Sequence, residues 1–207
     1  MKSLKLNHIF SIIIILISLS FLHACSDDDA IEESTEQILE DEDKAALLFM
    51  LEEEKLARDT YIYLNDVWSI NQFDNIKDSE QTHMDAVQNL LVKYNVEFTI
   101  LPIGEFDNKA LQEYYNQFKL EGAVSKSNAF QIGATIEDLD ILDLQEYIKA
   151  TKNTSLIAVF ENLECGSRNH LRSFVKGIVQ AGDSYTPQFL TQNEYESIIT
   201  GSQEKCN

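Results

Sequence analysis

Apolar residues recur along this chain at steps of three and four, and four stretches carry the pattern far enough to predict long helices. The first runs over about residues 44–67, with Leu47, Met50, Glu54, Ala57, Tyr61 and Leu64 on one stripe. The second, over about 76–95, aligns Ile76, Glu80, His83, Val87, Leu90 and Tyr94. The third, over about 125–150, aligns Phe130, Gly133, Glu137, Asp140, Leu144 and Tyr147, and the fourth, over about 154–180, aligns Leu156, Phe160, Leu163, Ser167, His170 and Phe174. A turn is expected over Trp68 to Asn75 and a break around Pro102-Ile103-Gly104. Short helical pieces are expected near Asn108 to Leu120 and near Gln192 to Thr200.

Each long stripe is interrupted by polar groups near its middle. A carboxylate taken out of water costs several kcal/mol unless it finds a partner, so Glu54, Glu80, Glu137 and Asp140 need partners from other helices. Packed side by side, four such helices bring their interruptions to one level, which is how a helical bundle builds a metal site. Within the triplet Glu52-Glu53-Glu54 only Glu54 lies on the stripe, and Glu52 and Glu53 are expected to be solvated. Short links join helices one to two and three to four, whereas some thirty residues separate two from three. The fold class this predicts is all-α: a four-helix bundle of ferritin-like topology, with one long crossover connection and a short C-terminal helix.

The domain occupies residues 44–200 on this reading, with 201–207 as a C-terminal tail. Residues 1–24 read as a signal peptide: Lys2 and Lys5 precede an apolar run, Ile9 to Leu22, that is short for a membrane span. Leu22-His23-Ala24-Cys25 resembles the lipobox of bacterial lipoproteins, which implies cleavage before Cys25 and its lipidation. A plain secretory signal with an ordinary thiol at Cys25 is the alternative. Lipid anchoring places the protein in the cell envelope, on the outer or cytoplasmic membrane and facing the periplasm or the surface. Residues 25–43, rich in acids, read as a disordered tether.

Formal net charge is −19, and the leader holds two lysines and no acid, so its removal makes the remainder still more negative. Nucleic acid is excluded as a partner on that ground. Cys165 and Cys206 are free to pair in an oxidising compartment, though spacing alone does not decide it, and neither has neighbours at structural zinc spacing.

The stretches EEEKLARDTY, FDNIKDSEQTHMDAV, IGATIEDLDILDL and NLECGSRNHLRSF resemble the ferritin-like family called domain of unknown function 2202, over about Ala46 to Ile199. Glu54-Lys55-Leu56-Ala57-Arg58 with Tyr61, and Glu80-Gln81-Thr82-His83, also resemble motifs of the rubrerythrins. The resemblance implies a dinuclear iron or manganese centre: Glu54 as terminal ligand, Glu80 bridging with His83 beside it, Glu137 from the third helix and His170 from the fourth. Ser167 stands where such proteins carry the glutamate of a second Glu-x-x-His. Asp140, one turn after Glu137, is the residue that can compensate, with Glu164 a weaker substitute. Tyr61 lies near the same level, and Arg58, Arg168 and Arg172 are expected to pair with acids.

Three functions fit these residues. One is an oxidase or peroxidase drawing electrons from a separate protein, since the chain has no Cys-x-x-Cys module; another is metal binding without turnover. The third is a metal-free helical lipoprotein that mediates contacts. A homodimer is compatible with each.

Overall fold

The structure, a computed structural model, describes residues 39–206. The leader, Cys25 and most of the acidic tether therefore lie outside the described residues. The described chain is all-helical: α1 (Asp41–Trp68), α2 (Asn71–Lys93), α3 (Lys109–Gly122), α4 (Lys126–Ala150), α5 (Thr154–Gln180) and α6 (Gln192–Thr200). Among the described residues no helix is long and apolar enough to cross a membrane.

Helix α1 packs along α2 and α4 along α5, and the two hairpins meet through α1 against α4 and α2 against α5. Helix α3 crosses α1 and α4, and α6 rests on α5. Every stripe residue anticipated on α1 and α5 is buried, as are those on α2 and α4 apart from the terminal Tyr94 and Tyr147. Local chemistry marks the starts. Asn108, Ser125 and Asn153 accept backbone N–H groups from the first turns of α3, α4 and α5, and Thr191 forms a reciprocal capping box with Glu194 on α6.

Two helices begin earlier than the pattern predicts. Helix α1 starts at Asp41, so the end of the acidic stretch is helical; Asp41, Glu42 and Asp43 sit in its first turn, where negative charge complements the helix dipole. Helix α2 starts at Asn71, because Ser69 takes a left-handed conformation (φ 51°) that reverses the chain within two residues. The stretch 68–75, expected as a turn, contains Asn71, Asp74 and Asn75, all residues that favour turns. Burial of Phe73 against Tyr61, Phe130 and Phe174 outweighs that preference.

The crossover is fastened from beneath. Lys55 is 1% exposed and donates to Asp59 (2.6 Å) and to the carbonyls of Pro102 and Glu105 (both 3.0 Å). Asp59 in turn accepts the N–H of Gly104, whose φ of 81° suits a residue without Cβ. Glu52 accepts the N–H groups of Asp107 and Asn108 at 2.8 Å each, so this carboxylate anchors the crossover instead of being simply solvated.

The apolar core falls into two clusters. On α1 one ends at Leu51 and the other resumes at Leu56; on α2 the break lies between Ile76 and Met84, and on α5 between Leu163 and Leu171. Those gaps hold Glu53 and Glu54, Glu80 and His83, and Ser167 and His170. A polar layer thus interrupts the apolar core.

Candidate metal centre

Five of the six predicted ligands meet in that layer. Nδ1 of His83 lies 3.2 Å from Glu54 Oε2 and 2.9 Å from Glu80 Oε2. Nδ1 of His170 lies 2.9 Å from Glu80 Oε1 and 3.4 Å from Glu137 Oε2. Glu80 is therefore shared between two triads, Glu54–Glu80–His83 and Glu80–Glu137–His170, within each of which the donor atoms lie within 4.8 Å of one another. The three-residue spacing of Glu80 and His83 puts both on one face of α2, and the two imidazoles are nearly parallel, 5.6 Å between centroids. All five residues are buried.

The sixth, Asp140, is 4% exposed and lies outside both triads. Its Oδ2 shares a short hydrogen bond with the Ser167 hydroxyl, which also lies 3.0 Å from the Leu163 carbonyl. Asp140 and Ser167, one on α4 and one on α5, thus form a direct pair at the level of the cluster. The Oδ1 of Asp140 has no protein partner.

Glu53 was expected in solvent and is 2% exposed, with its carboxyl beside Asp143. The stripe argument assumes a helix with one buried face. Helix α1 is covered by α2, α3 and α4 together, which buries a wider arc and takes Glu53 inside. Burial raises its pKa well above the ordinary value, and Asp140 and Asp143 push in the same direction.

Electrostatics follow from four acids and two imidazoles buried together. Burial pushes Glu54 up to about 7 despite the opposing pull of His83. Burial and the charge of Glu80 push Glu137 to about 7, although His170 and Tyr61 favour its ionised form. For Asp140, burial together with Glu54 and Glu137 raises the carboxyl well above its usual range. Glu80 behaves oppositely: burial alone would raise it, but His170 and His83 hold it well below that range. Burial opposes charging of the imidazoles, yet Glu54 and Glu80 raise His83 well above its ordinary value, and Glu80 and Glu137 raise His170 to about 10. The metal-free cluster is thus neutralised by protons on both histidines and on several carboxyls.

These residues fit a pair of divalent cations. Fully ionised, Glu54, Glu80, Glu137 and Asp140 carry four negative charges, which two divalent ions balance while the imidazoles become neutral ligands. Glu54 Oε1 and Asp140 Oδ1 are buried without a hydrogen-bond partner. Glu80 Oε1 and His170 Nδ1 face each other at 2.9 Å as an ion pair. Orphaned buried donor atoms are costly in a metal-free core and are satisfied by coordination.

Tyr61, fully buried, donates its hydroxyl to Glu137 Oε1 at 2.5 Å and so contacts the cluster directly. The arginines do not reach it. Arg58 pairs with Asp59 and Gln81, Arg168 with Glu164 and Glu204, and Arg172 with Glu204. Glu164 is held by Arg168 and accepts from Gln145, so it is not engaged at the cluster. Cys165 and Cys206 form a disulfide, Cα atoms 5.7 Å apart. Sequence reasoning missed Asp138, fully buried on α4. Its carboxylate accepts the hydroxyl of Tyr185 and the N–H groups of Gln188, Phe189 and Leu190, and no periodic signal distinguishes it from the solvated acids.

Fold and cluster together define a class: an all-helical protein with a buried carboxylate–imidazole cluster contributed by four helices. The chain belongs to the family described as uncharacterized protein domain (DUF2202), which it matches over residues 43–202. It is similar to the uncharacterized protein MJ0754 of Methanocaldococcus jannaschii, 47% identical over 171 residues that span 82% of this chain and 92% of the relative. The crystal structure of the hypothetical protein MJ0754 from Methanococcus jannaschii superposes with a TM-score of 0.80, covering 81% of this chain and 97% of that one.

Proposed function

We propose that this protein is a ferritin-like four-helix bundle carrying a dinuclear iron or manganese centre, tethered to the bacterial cell envelope through a lipidated Cys25. The observation that carries the metal reading is the sharing of Glu80 between two buried triads, each completed by one histidine and one further glutamate. Glu54, Glu80, His83, Glu137 and His170 hold the ions, and Asp140 supplies the sixth side chain in the place that Ser167 leaves without a carboxylate. Iron or manganese in such a ligand set supplies redox chemistry toward dioxygen or peroxide.

The chain's own residues do the rest. The two apolar clusters above and below the layer exclude bulk water and fix the carboxylates in place. Tyr61 holds a proton against Glu137 Oε1 and orients that carboxylate. Electrons come from a separate protein, since the sequence has three cysteines and no Cys-x-x-Cys pair. A second reading, metal binding without turnover, is favoured by the pairing of Asp140 with Ser167.

The test is metal content by elemental mass spectrometry after anaerobic loading with Fe(II) or Mn(II). About two ions per chain are expected, falling sharply in His83→Ala and Glu137→Ala; a value near zero refutes the centre. Consumption of peroxide or dioxygen with a chemical reductant then separates turnover from binding alone. Support for the anchor comes from Lys2, Lys5, the apolar run and the small residue before Cys25. Mass spectrometry of the mature N-terminal peptide is expected to find Cys25 acylated.

A further inference from the structure

Both imidazoles turn Nδ1 toward the carboxylates, and their outer sides line a cleft of about 510 Å³ between α2 and α5. Hydroxyls and amides make up most of the remaining lining, Ser79 and Thr82 from α2, Asn162, Asn169 and Ser173 from α5, and Gln203 from segment 201–206, beside the apolar Ile76 and the disulfide-bonded Cys206. Its floor is open because residue 166 is glycine. A Cβ there would lie 2.6 Å from His83 Nε2 and 2.7 Å from Cε1, so any side chain would fill the space against the ring. A larger cavity, about 730 Å³ near Leu51 and Val96, includes none of the five cluster residues in its lining.

The outer wall of the cleft is an irregular segment held at several points. Residues 201–206 contain no helix, yet Glu204 is gripped by Arg168 and Arg172 (2.6 and 2.7 Å). Asn169 donates to the carbonyl of Glu204 and accepts its N–H. The disulfide from Cys206 to Cys165 fixes the segment next to Gly166, and Asn169 also donates to Cys206 Sγ. Cys206 and Gln203 both border the cleft. The segment is thus held across the side of α5 that presents His170, and its fastenings flank the ring on both sides in sequence.

We propose that this cleft is the mouth through which small, neutral, hydroxylic molecules of water or peroxide size reach the carboxylate–imidazole cluster, with the disulfide-latched segment 201–206 as its outer wall. This inference rests on the reading of the cluster as the working centre. The class of solute follows from the polar part of the lining, hydroxyls and amides that both donate and accept, and from the absence of any carboxylate, lysine or arginine in it. Anions are further disfavoured by a chain of net charge −19.

Water itself is the probe. In the metal-free full chain, deuterium exchange at the Cε1 position of His83 and His170, read by mass spectrometry across pH, reports solvent reaching each ring. A change in basicity moves the midpoint of that profile, whereas a change in access moves its plateau. Removing the latch with Cys206→Ser and Glu204→Ala together is expected to raise the plateau several-fold at both histidines. Filling the mouth with Thr82→Trp, at an exposed position, or with Ser173→Trp is expected to lower it several-fold.

Unchanged plateaus in variants shown to be folded by circular dichroism overturn the mouth, even if metal loads normally. Plateaus that respond as stated in a protein that never binds metal leave the mouth standing and refute the dinuclear centre. In iron-loaded protein the same filling variants should slow oxidation of Fe(II) by hydrogen peroxide at unchanged iron content. Equal rates in all variants count against the proposal.

Discussion

If the cluster holds the proposed pair of ions, removing them should reverse the pH dependence of stability. In the metal-free fold Glu54 and Glu137 titrate near 7, whereas in an unfolded chain they titrate near 4.5. Between those values the folded state holds protons that the unfolded state has released, so stability falls as pH rises. His170 extends the trend, because its folded value of about 10 lies above the unfolded 6.5; the stability it contributes is complete below 6.5 and is lost on the way to 10. Glu80 acts in the other direction, but only below its ordinary value, since its folded pKa is lowered.

One carboxyl moved from 4.5 to about 7 is worth roughly 3 kcal/mol at about 1.4 kcal/mol per pH unit. The groups share one network and do not add, so we take a single group as the expected scale. At about 2–4 °C per kcal/mol for a domain of this size, the metal-free melting temperature should drop by about 6–12 °C between about pH 5 and pH 8. Metal-loaded protein must keep the same carboxylates ionised, and its melting temperature should rise over that range instead. Thermal melts by circular dichroism, with and without metal, measure both slopes. Glu54→Gln with Glu137→Gln should flatten the metal-free slope, which separates this cause from general repulsion among surface acids. A metal-free melting temperature that is level or rising from about pH 5 to pH 7 would refute the reasoning.

Three further outcomes are expected. Gly166→Ala drives a Cβ against the His83 ring and should cost about 1–3 kcal/mol and lower metal content, as thermal melts and elemental analysis will report. Asp138→Ala strands three backbone N–H groups and the Tyr185 hydroxyl. Its expected cost is about 2–4 kcal/mol, with faster amide exchange at residues 188–190 and metal content retained. Cys165→Ser opens a disulfide of sequence separation 41, for which chain entropy predicts a loss of about 4 kcal/mol in denaturant titration.

Much of this protein is written in its local pattern. Leu47, Met50, Tyr61 and Leu64 on α1, or Leu156, Phe160, Leu163 and Phe174 on α5, fall on single stripes because helical geometry brings every third and fourth residue to one face, and all are buried. The interruptions were legible for the same reason: Glu54, Glu80, His83, Glu137, Asp140, Ser167 and His170 each occupy a stripe position that apolar residues otherwise fill. Helix starts at Ser125 and Asn153 could be read from capping chemistry, which is also local.

What the chain alone left open depends on more than one helix at a time. A single-stripe reading exposes Glu53, and the presence of α2, α3 and α4 around α1 buries it. Lys55 and Asp59 lie off the α1 stripe and become a buried pair because the crossover closes over them. The Cys165–Cys206 bond and the grip of Arg168 and Arg172 on Glu204 join positions more than thirty residues apart, and no periodicity carries such information. Sequence set Asp140 apart as the residue that could compensate for Ser167, but not where its carboxylate would lie. The pattern put all six on buried faces, but packing alone set the distances, turning Asp140 to Ser167 and leaving Glu80 between two histidines. Periodicity fixes which side of a helix is apolar, and only the neighbours on every side fix what each polar group meets.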